Sequence, residues 1–204
     1  MIARLIRRLF ALAPVLGFTL LAGCSILPDS GSDPARFYLL KAPTPAAAPM
    51  AAAPSVQIRP IELASYLRGR PIIVRRGDNE VEFRDFALWG EPLELGVARV
   101  LREELFARGA ASVVQVAGGR RDGGTPDYAL MVKILACEGR ADGEVFFRAV
   151  WELNKTGTKV PPVGSGDYRP GDLRWDGKTE ASLVEQLSLA AGGLAGEIAA
   201  ALKK

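Results

Sequence analysis

The sequence contains no histidine. That absence excludes Ser-His-Asp and Cys-His catalysis, H-E-x-x-H zinc sites and any histidine pH switch. It has only two cysteines, Cys24 and Cys137, which excludes a zinc finger and a disulfide-dense scaffold. Acidic residues are missing from the first 23 positions, where Arg4, Arg7 and Arg8 lie. The whole chain carries 26 basic and 23 acidic residues, so those three arginines account for its entire net charge of +3. The remainder is neutral and lacks the basic surface that non-specific nucleic-acid binding needs. What is present is a globular composition. Of 204 residues, 49% are hydrophobic and 24% charged, enough to bury a core and too apolar for global disorder. The length suits one domain with extensions, or two small domains.

The N-terminus orders its features in a recognisable way. Three arginines precede an apolar run from Leu9 to Leu21, and the small residues Ala22 and Gly23 then lead to Cys24. Charge, then apolar, then small is the order of a secretory signal. The run covers 13 residues and includes Pro14 and Gly17, short for a membrane-crossing helix of ~20 residues. Leu21-Ala22-Gly23-Cys24 resembles the lipobox of bacterial lipoproteins. The resemblance implies removal of residues 1–23, diacylation of the Cys24 thiol and acylation of the new amino terminus. The alternative is an uncleaved anchor with an incidental cysteine. Stable anchoring takes more than one acyl chain, which a multiply acylated Cys24 satisfies. Ser25 after the cysteine resembles the enterobacterial outer-membrane sorting pattern. Cys137 is then left without an intramolecular partner; it sits in an apolar run, reads as a packing thiol, and has no histidine to activate it.

Residues 25–34 are polar and turn-forming and read as a tether of ~30 Å at ~3.1 Å per extended residue. A short strand is expected over 36–40. Residues 42–54 hold four prolines and seven alanines, the composition of a loop or spacer rather than a core. Val56 and Ile58 alternate with polar residues up to Pro60, which ends or bulges a strand. Residues 72–74 and 81–84 flank Gly77-Asp78-Asn79 as a hairpin. Over 91–108, Leu93, Val97, Val100, Leu101 and Leu105 share a helical face, with Pro92 as the first helical position and Gly109 as the stop. A strand follows at 112–116, then a glycine-rich loop at 118–124. Residues 127–138 and 144–153 alternate as a long antiparallel hairpin, its second strand carrying Val145, Phe147, Ala149, Trp151 and Leu153 inward. A further strand is possible near 163–170. Residues 180–202 form a helix with Thr179 as N-cap and Lys203 and Lys204 at its negative end. The expectation is an α+β fold: a mainly antiparallel or mixed β-sheet with two α-helices packed on one face.

Several short patterns resemble chemistry without its context. Gly177-Lys178-Thr179 ends like a phosphate loop, but Asp172 stands where the loop needs glycine and no apolar strand feeds it. Arg76-Gly77-Asp78 is explained by a turn. Asn154-Lys155-Thr156 is a glycosylation sequon that a bacterial protein leaves unused. Gly192 and Gly196 make a small-xxx-small pair that reads as close packing of the last helix on its own sheet, because Glu185 and Glu197 interrupt the run. Glu80, Glu82, Asp85 and Glu91 cluster in sequence. They read as solvated charges or, alternatively, as acid/base carboxylates of an envelope hydrolase.

Residues 55–105 are more specific. Tyr66-Leu67 is followed by Arg70-Pro71, a strand reaching Arg75 or Arg76, Asn79-Glu80-Val81, Trp89, and Glu91-Pro92-Leu93 opening a helix. With Phe37-Tyr38-Leu39 soon after Cys24, this resembles the PqiC-like ABC-type transport auxiliary lipoprotein family. Gly69, Gly90 and the long 42–54 insert depart from its pattern. The resemblance implies one such domain over 35–204, after a lipidated cysteine and tether at 24–34. It implies a non-catalytic outer-membrane lipoprotein, facing the periplasm and supporting envelope integrity. Its implied partners are an MCE-domain (mammalian cell entry) protein forming a periplasmic conduit for lipid, and the associated ABC transporter or permease. No cofactor or metal is implied. A homo-oligomeric ring would match a tubular partner by symmetry. Tyr66, Arg70 and Trp89 are residue types enriched at interface hot spots. Trp89 reads alternatively as a core plug, and Arg70 as the partner of a nearby carboxylate. The competing function is a lipid-binding carrier or chaperone lipoprotein.

Overall fold

The computed structural model describes residues 34–44, 53–116, 124–158 and 161–203. The signal segment, Cys24, most of the tether, the centre of the Ala/Pro-rich insert and most of the glycine-rich loop lie outside the described residues. Two strands form the spine of the sheet: β7 (Tyr128–Arg140) and β8 (Val145–Lys155), paired antiparallel along almost their whole length. β9 (Gly164–Tyr168) continues the sheet antiparallel to β8. The other edge of β7 is shared in succession by three parallel strands: β2 (Ser55–Ile58), β3 (Glu62–Leu63) and β4 (Pro71–Arg75). β6 (Val113–Val116) extends β2 in parallel, whereas β5 (Val81–Trp89) turns back antiparallel on β4 and carries β1 (Arg36–Tyr38) in parallel at its outer side. The result is a mixed, curled sheet with the helices α1 (Leu93–Ala107) and α2 (Glu180–Leu202) on one face.

Strict alternation makes β8 two-faced. Val145, Phe147, Ala149, Trp151 and Leu153 are buried toward the helices, and the residues between them are partly exposed. β7 begins in the same phase, with Leu130, Val132 and Ile134 inward and Met131 and Lys133 exposed. Its register against β8 then shifts between Ile134 and Ala136. One extra residue in a strand reverses which side chains point inward. Beyond the shift Cys137 and Gly139 face the helices, and Glu138, opposite Phe146, faces the other way.

The helices end as the residue types dictate. Gly109 takes φ 60° after α1; its N–H donates to the Phe106 carbonyl and that of Ala110 to the Leu105 carbonyl, closing a Schellman motif. Pro92 sits one position outside α1, as its N-cap, rather than inside it. Thr179 caps α2 by accepting from the Ser182 N–H, and Asp176 accepts from the backbone of Lys178 and Thr179. β3 and the following 3-10 turn (Ser65–Arg68) are elements that the periodicity did not announce. The glycine pair of α2 also differs from expectation. Gly192 meets Pro43 and Gly196 meets Arg108 at the end of α1, so the close approach is to the neighbouring helix and the incoming chain rather than to the sheet.

Gly139 is a point where a rigid group packs directly on the sheet. A Cβ there would lie 2.8 Å from Trp175 Cε2 and 3.0 Å from Leu183 Cδ1. The indole is itself fixed by donating from Nε1 to the Arg140 carbonyl at 3.0 Å. Gly139→Ala is therefore expected to cost about 1–3 kcal/mol through overpacking. Urea unfolding should show a lower midpoint at unchanged slope; an unchanged midpoint would mean that the indole yields freely.

Candidate docking site

The turn from Ser65 to Arg70 is fastened to the sheet at both ends. At one end the Tyr66 hydroxyl donates to Glu138 Oε2 at 2.6 Å and lies 3.3 Å from the carbonyl of Leu135, the residue inside the register shift. Glu138 has no exposed surface, and its other oxygen accepts from Arg75 Nε at 2.7 Å and Nη2 at 2.6 Å. Arg75 also donates to the Asp78 carbonyl and lies over the Phe146 ring at 5.4 Å. A buried charge requires such pairing, since the cost of removing it from water is offset only by good geometry. Burial, then the hydrogen bond to Glu138 and its charge, pushes the Tyr66 phenol well above its ordinary range, so the phenol keeps its proton and donates.

At the other end Arg70 grips Trp89. The Trp89 N–H donates to the Arg70 carbonyl at 2.7 Å, and the Arg70 guanidinium reaches back to the Trp89 carbonyl at 3.3 Å. The indole of Trp89 is buried in the core at 4% exposure, and Arg70 is exposed and stacks over Phe37 of β1 at 5.4 Å. The three candidate residues are thus joined through one turn, but they differ in access. Arg70 reaches solvent, Tyr66 is half-buried, and Trp89 supports the others from inside.

A second buried carboxylate holds the chain that arrives from β1. Glu104 of α1 has no exposure; it accepts from the Thr44 N–H and Oγ1, both at 2.7 Å, and pairs with Arg108 at 2.8 Å. Arg108 donates onward to the Gly192 carbonyl, and the Lys41 N–H donates to Ser188 Oγ. Lys41–Thr44 therefore forms a strap across α1 and α2. Neither Glu138 nor Glu104 figured among the sequence candidates. A signal existed for both: Glu138 interrupts an apolar strand, and Glu104 falls on the α1 stripe beside Leu101 and Leu105.

The acidic cluster is largely committed to arginines. Glu82 pairs with Arg76 and with Arg84 (2.6 Å), and the hydrogen bond from Arg76 holds its carboxyl below the usual range. Glu91 accepts from Arg99 at 2.6 Å, and Arg99 also donates to the Leu40 carbonyl. Glu80 and Asp85 are exposed. Cys137 is buried, and burial followed by the charge of Glu138 pushes its thiol up, away from thiolate chemistry. Among the described residues no group of three potential metal ligands converges, and no helix is long and apolar enough to cross a membrane.

This is an α+β module whose described polar clusters fasten segments together. The same fold occurs in a crystal structure of protein XCC0632 from Xanthomonas campestris, with TM-score 0.65 and 15% identity over 81% of this chain and 93% of that one. It occurs also in a crystal structure of an uncharacterized protein, with TM-score 0.63 and 19% identity over 80% of this chain and 95% of that one. A PelC dodecamer from Paraburkholderia phytofirmans aligns at a TM-score of 0.42 and 15% identity, over 78% of this chain and 94% of that one. A comparison with curated proteins gave no match. The model of the ABC-type transport auxiliary lipoprotein component matches residues 38–199. The chain belongs to that family.

The clamp generates an ordered pair of stability changes. Arg75→Met leaves the Glu138 charge buried without its cation and should cost about 3–5 kcal/mol. Tyr66→Phe removes one hydrogen bond to a charged acceptor and should cost about 1.5–3 kcal/mol. Urea denaturation of both variants checks the order, and equal losses would mean that Glu138 is not held as an ion pair.

Proposed function

We propose that this protein is a non-catalytic outer-membrane lipoprotein subunit of an MCE/ABC-type lipid transport system. Residues 1–23 act as the signal peptide, Cys24 carries the acyl chains, residues 24–34 are the tether, and 35–204 is one auxiliary domain facing the periplasm. The domain docks the periplasmic conduit of an MCE-domain protein at the outer membrane and supports envelope integrity. Family membership supplies the transport-auxiliary and lipoprotein character. The observation that carries the docking reading is the disposition of the family-like motif. Tyr66, Arg70 and Trp89 stiffen one turn and present the Arg70 guanidinium, stacked on Phe37, at the surface. A stacked arginine beside an exposed aromatic is the composition of an interface anchor. A ring of copies around a tubular conduit is the symmetric way to complete such a collar.

The test is a detergent pull-down of the full-length lipidated protein from its own membranes, with mass spectrometry of proteins and lipids. An MCE-domain protein with its ABC or permease components should co-purify, and Arg70→Glu should deplete it while the domain stays folded, at a stability loss of about 1 kcal/mol for the hydrogen bond to the Trp89 carbonyl. A stoichiometric lipid without protein partners would replace this reading with the carrier one. Recovery of neither would remove the transporter assignment.

A further inference from the structure

The open face of the β1–β5–β4 wing, away from the helices, carries an apolar patch that extends beyond the Arg70–Phe37 pair of the docking reading. Tyr38 and Trp89 are register partners, and Trp89 and Ala87 are buried toward the helices. Alternation places Phe37, its partner Leu88, and Phe86 on the opposite face. Pro71 pairs with Leu88 on that same face. Farther along β5, Phe83 pairs with Ile73, two residues from Arg75, whose guanidinium reaches Glu138 on that face. Phe37 is 57% exposed, Phe86 59% and Phe83 45%. The whole chain has eight phenylalanines, so three on one wing, all open to solvent, is a concentration that isolated surface residues do not explain.

Two facts select the occupant. The first is covalent: β1, which carries Phe37, begins two residues after Pro34, and ten residues separate Cys24 from Ala35. At ~3.1 Å per extended residue, that tether holds this wing within ~30 Å of whatever Cys24 is anchored in. The second is composition. Arg70 is exposed at the rim of the patch, over the Phe37 ring, and forms no ion pair with another described residue. Aromatic rings that enter the acyl boundary, with a guanidinium group at headgroup level, suit an interfacial membrane contact. The planar guanidinium also offers two parallel donors to a phosphate.

The geometry points to Phe37, Phe83 and Phe86, with Arg70 at their rim, as a membrane-contact surface that rests on the phospholipid layer holding the Cys24 anchor. The inference deepens the proposed function and rests on its acylated Cys24. It gives the body a fixed face toward the bilayer in place of free swinging on the tether.

Depth-dependent quenching tests it on the full-length lipidated protein, reconstituted in phosphatidylethanolamine/phosphatidylglycerol vesicles with or without brominated acyl chains. Phe86→Trp adds a reporter inside the patch, and Leu189→Trp adds one at an exposed position of α2. The emission added by Phe86→Trp should be quenched by brominated lipid, and that added by Leu189→Trp should not. Phe37→Trp repeats the measurement if the first variant misfolds. Equal quenching at both positions, or none in the patch, overturns the surface. The same sink follows from a blue shift that needs an MCE-domain protein and shows no bromine quenching, which would assign the patch to protein contact. Flotation separates the two failures. If the parent protein floats with the vesicles but the patch is not quenched, the anchor stands and the surface falls. If it does not float, the anchor reading and the surface fall together.

Discussion

Glu138 is an ionisable carboxylate without solvent exposure, on the face of the sheet that carries no helix. It is there because β7 gains one residue at Leu135, which turns every later side chain over. A carboxylate in that position has to find a cation and a donor, or the strand cannot be occupied as it is. Arg75 and Tyr66 supply them from two different segments. The ion pair therefore fixes where β4 meets β7, and the phenol fixes where the preceding turn lies. Once β4 is placed, β5 follows by antiparallel pairing and β1 follows on β5. The wing with the family-like motif is built outward from one buried charge.

Glu104 repeats the device on the helical side. Its carboxylate is satisfied by the backbone and hydroxyl of Thr44 and by Arg108, and Pro43 fits only because residue 192 is glycine. In both places an irregular segment, which could not hold itself by a ladder of backbone bonds, is pinned by a carboxylate inside a regular element. Apolar packing of the same volume would often be as stable as a buried ion pair. What the carboxylates add is geometric demand: each accepts from named donors in one arrangement, so the turn and the strap have one place to sit.

Local periodicity made much of this fold legible. The period-two alternation of Val145 to Leu153 gives β8, the three-and-four spacing of Leu93 to Leu105 gives α1, and Gly109 and Thr179 mark helix ends for steric and capping reasons. Periodicity says nothing of partners far along the chain. The parallel pairing of β2, β3 and β4 on a single edge of β7 joins segments about seventy residues apart, and no local pattern encodes it. The two-residue β3 is too short to have a period. The candidate site was legible as a set of residues through family resemblance, yet not as a geometry. An acid in a strand is by default solvated, so the burial of Glu138 follows only from its long-range partners, and whether Trp89 is a surface anchor or a core plug depends on packing that no local pattern encodes.

The stiffness of the wing bears directly on what a tethered auxiliary subunit can do. If Cys24 is the anchor of the proposed function, a body held only through some ten residues would have no fixed orientation, and a docking surface without one loses effective concentration toward a partner fixed in the envelope. A second contact with the membrane would remove that freedom at small energetic cost, because the proposed acyl anchor would already supply proximity. The patch and Arg70 lie on one rigid unit, held by Tyr66, Arg75 and Glu138. Orientation of the phenylalanine patch by lipid and presentation of the guanidinium at its rim would then be coupled through the clamp. Loosening the clamp should weaken docking without touching either surface, which separates a mechanical role for Glu138 from a merely stabilising one: Glu138→Gln in a background restored to parental stability should still lose partner recovery if orientation is what the clamp provides, and should retain it if stability is all that it provides.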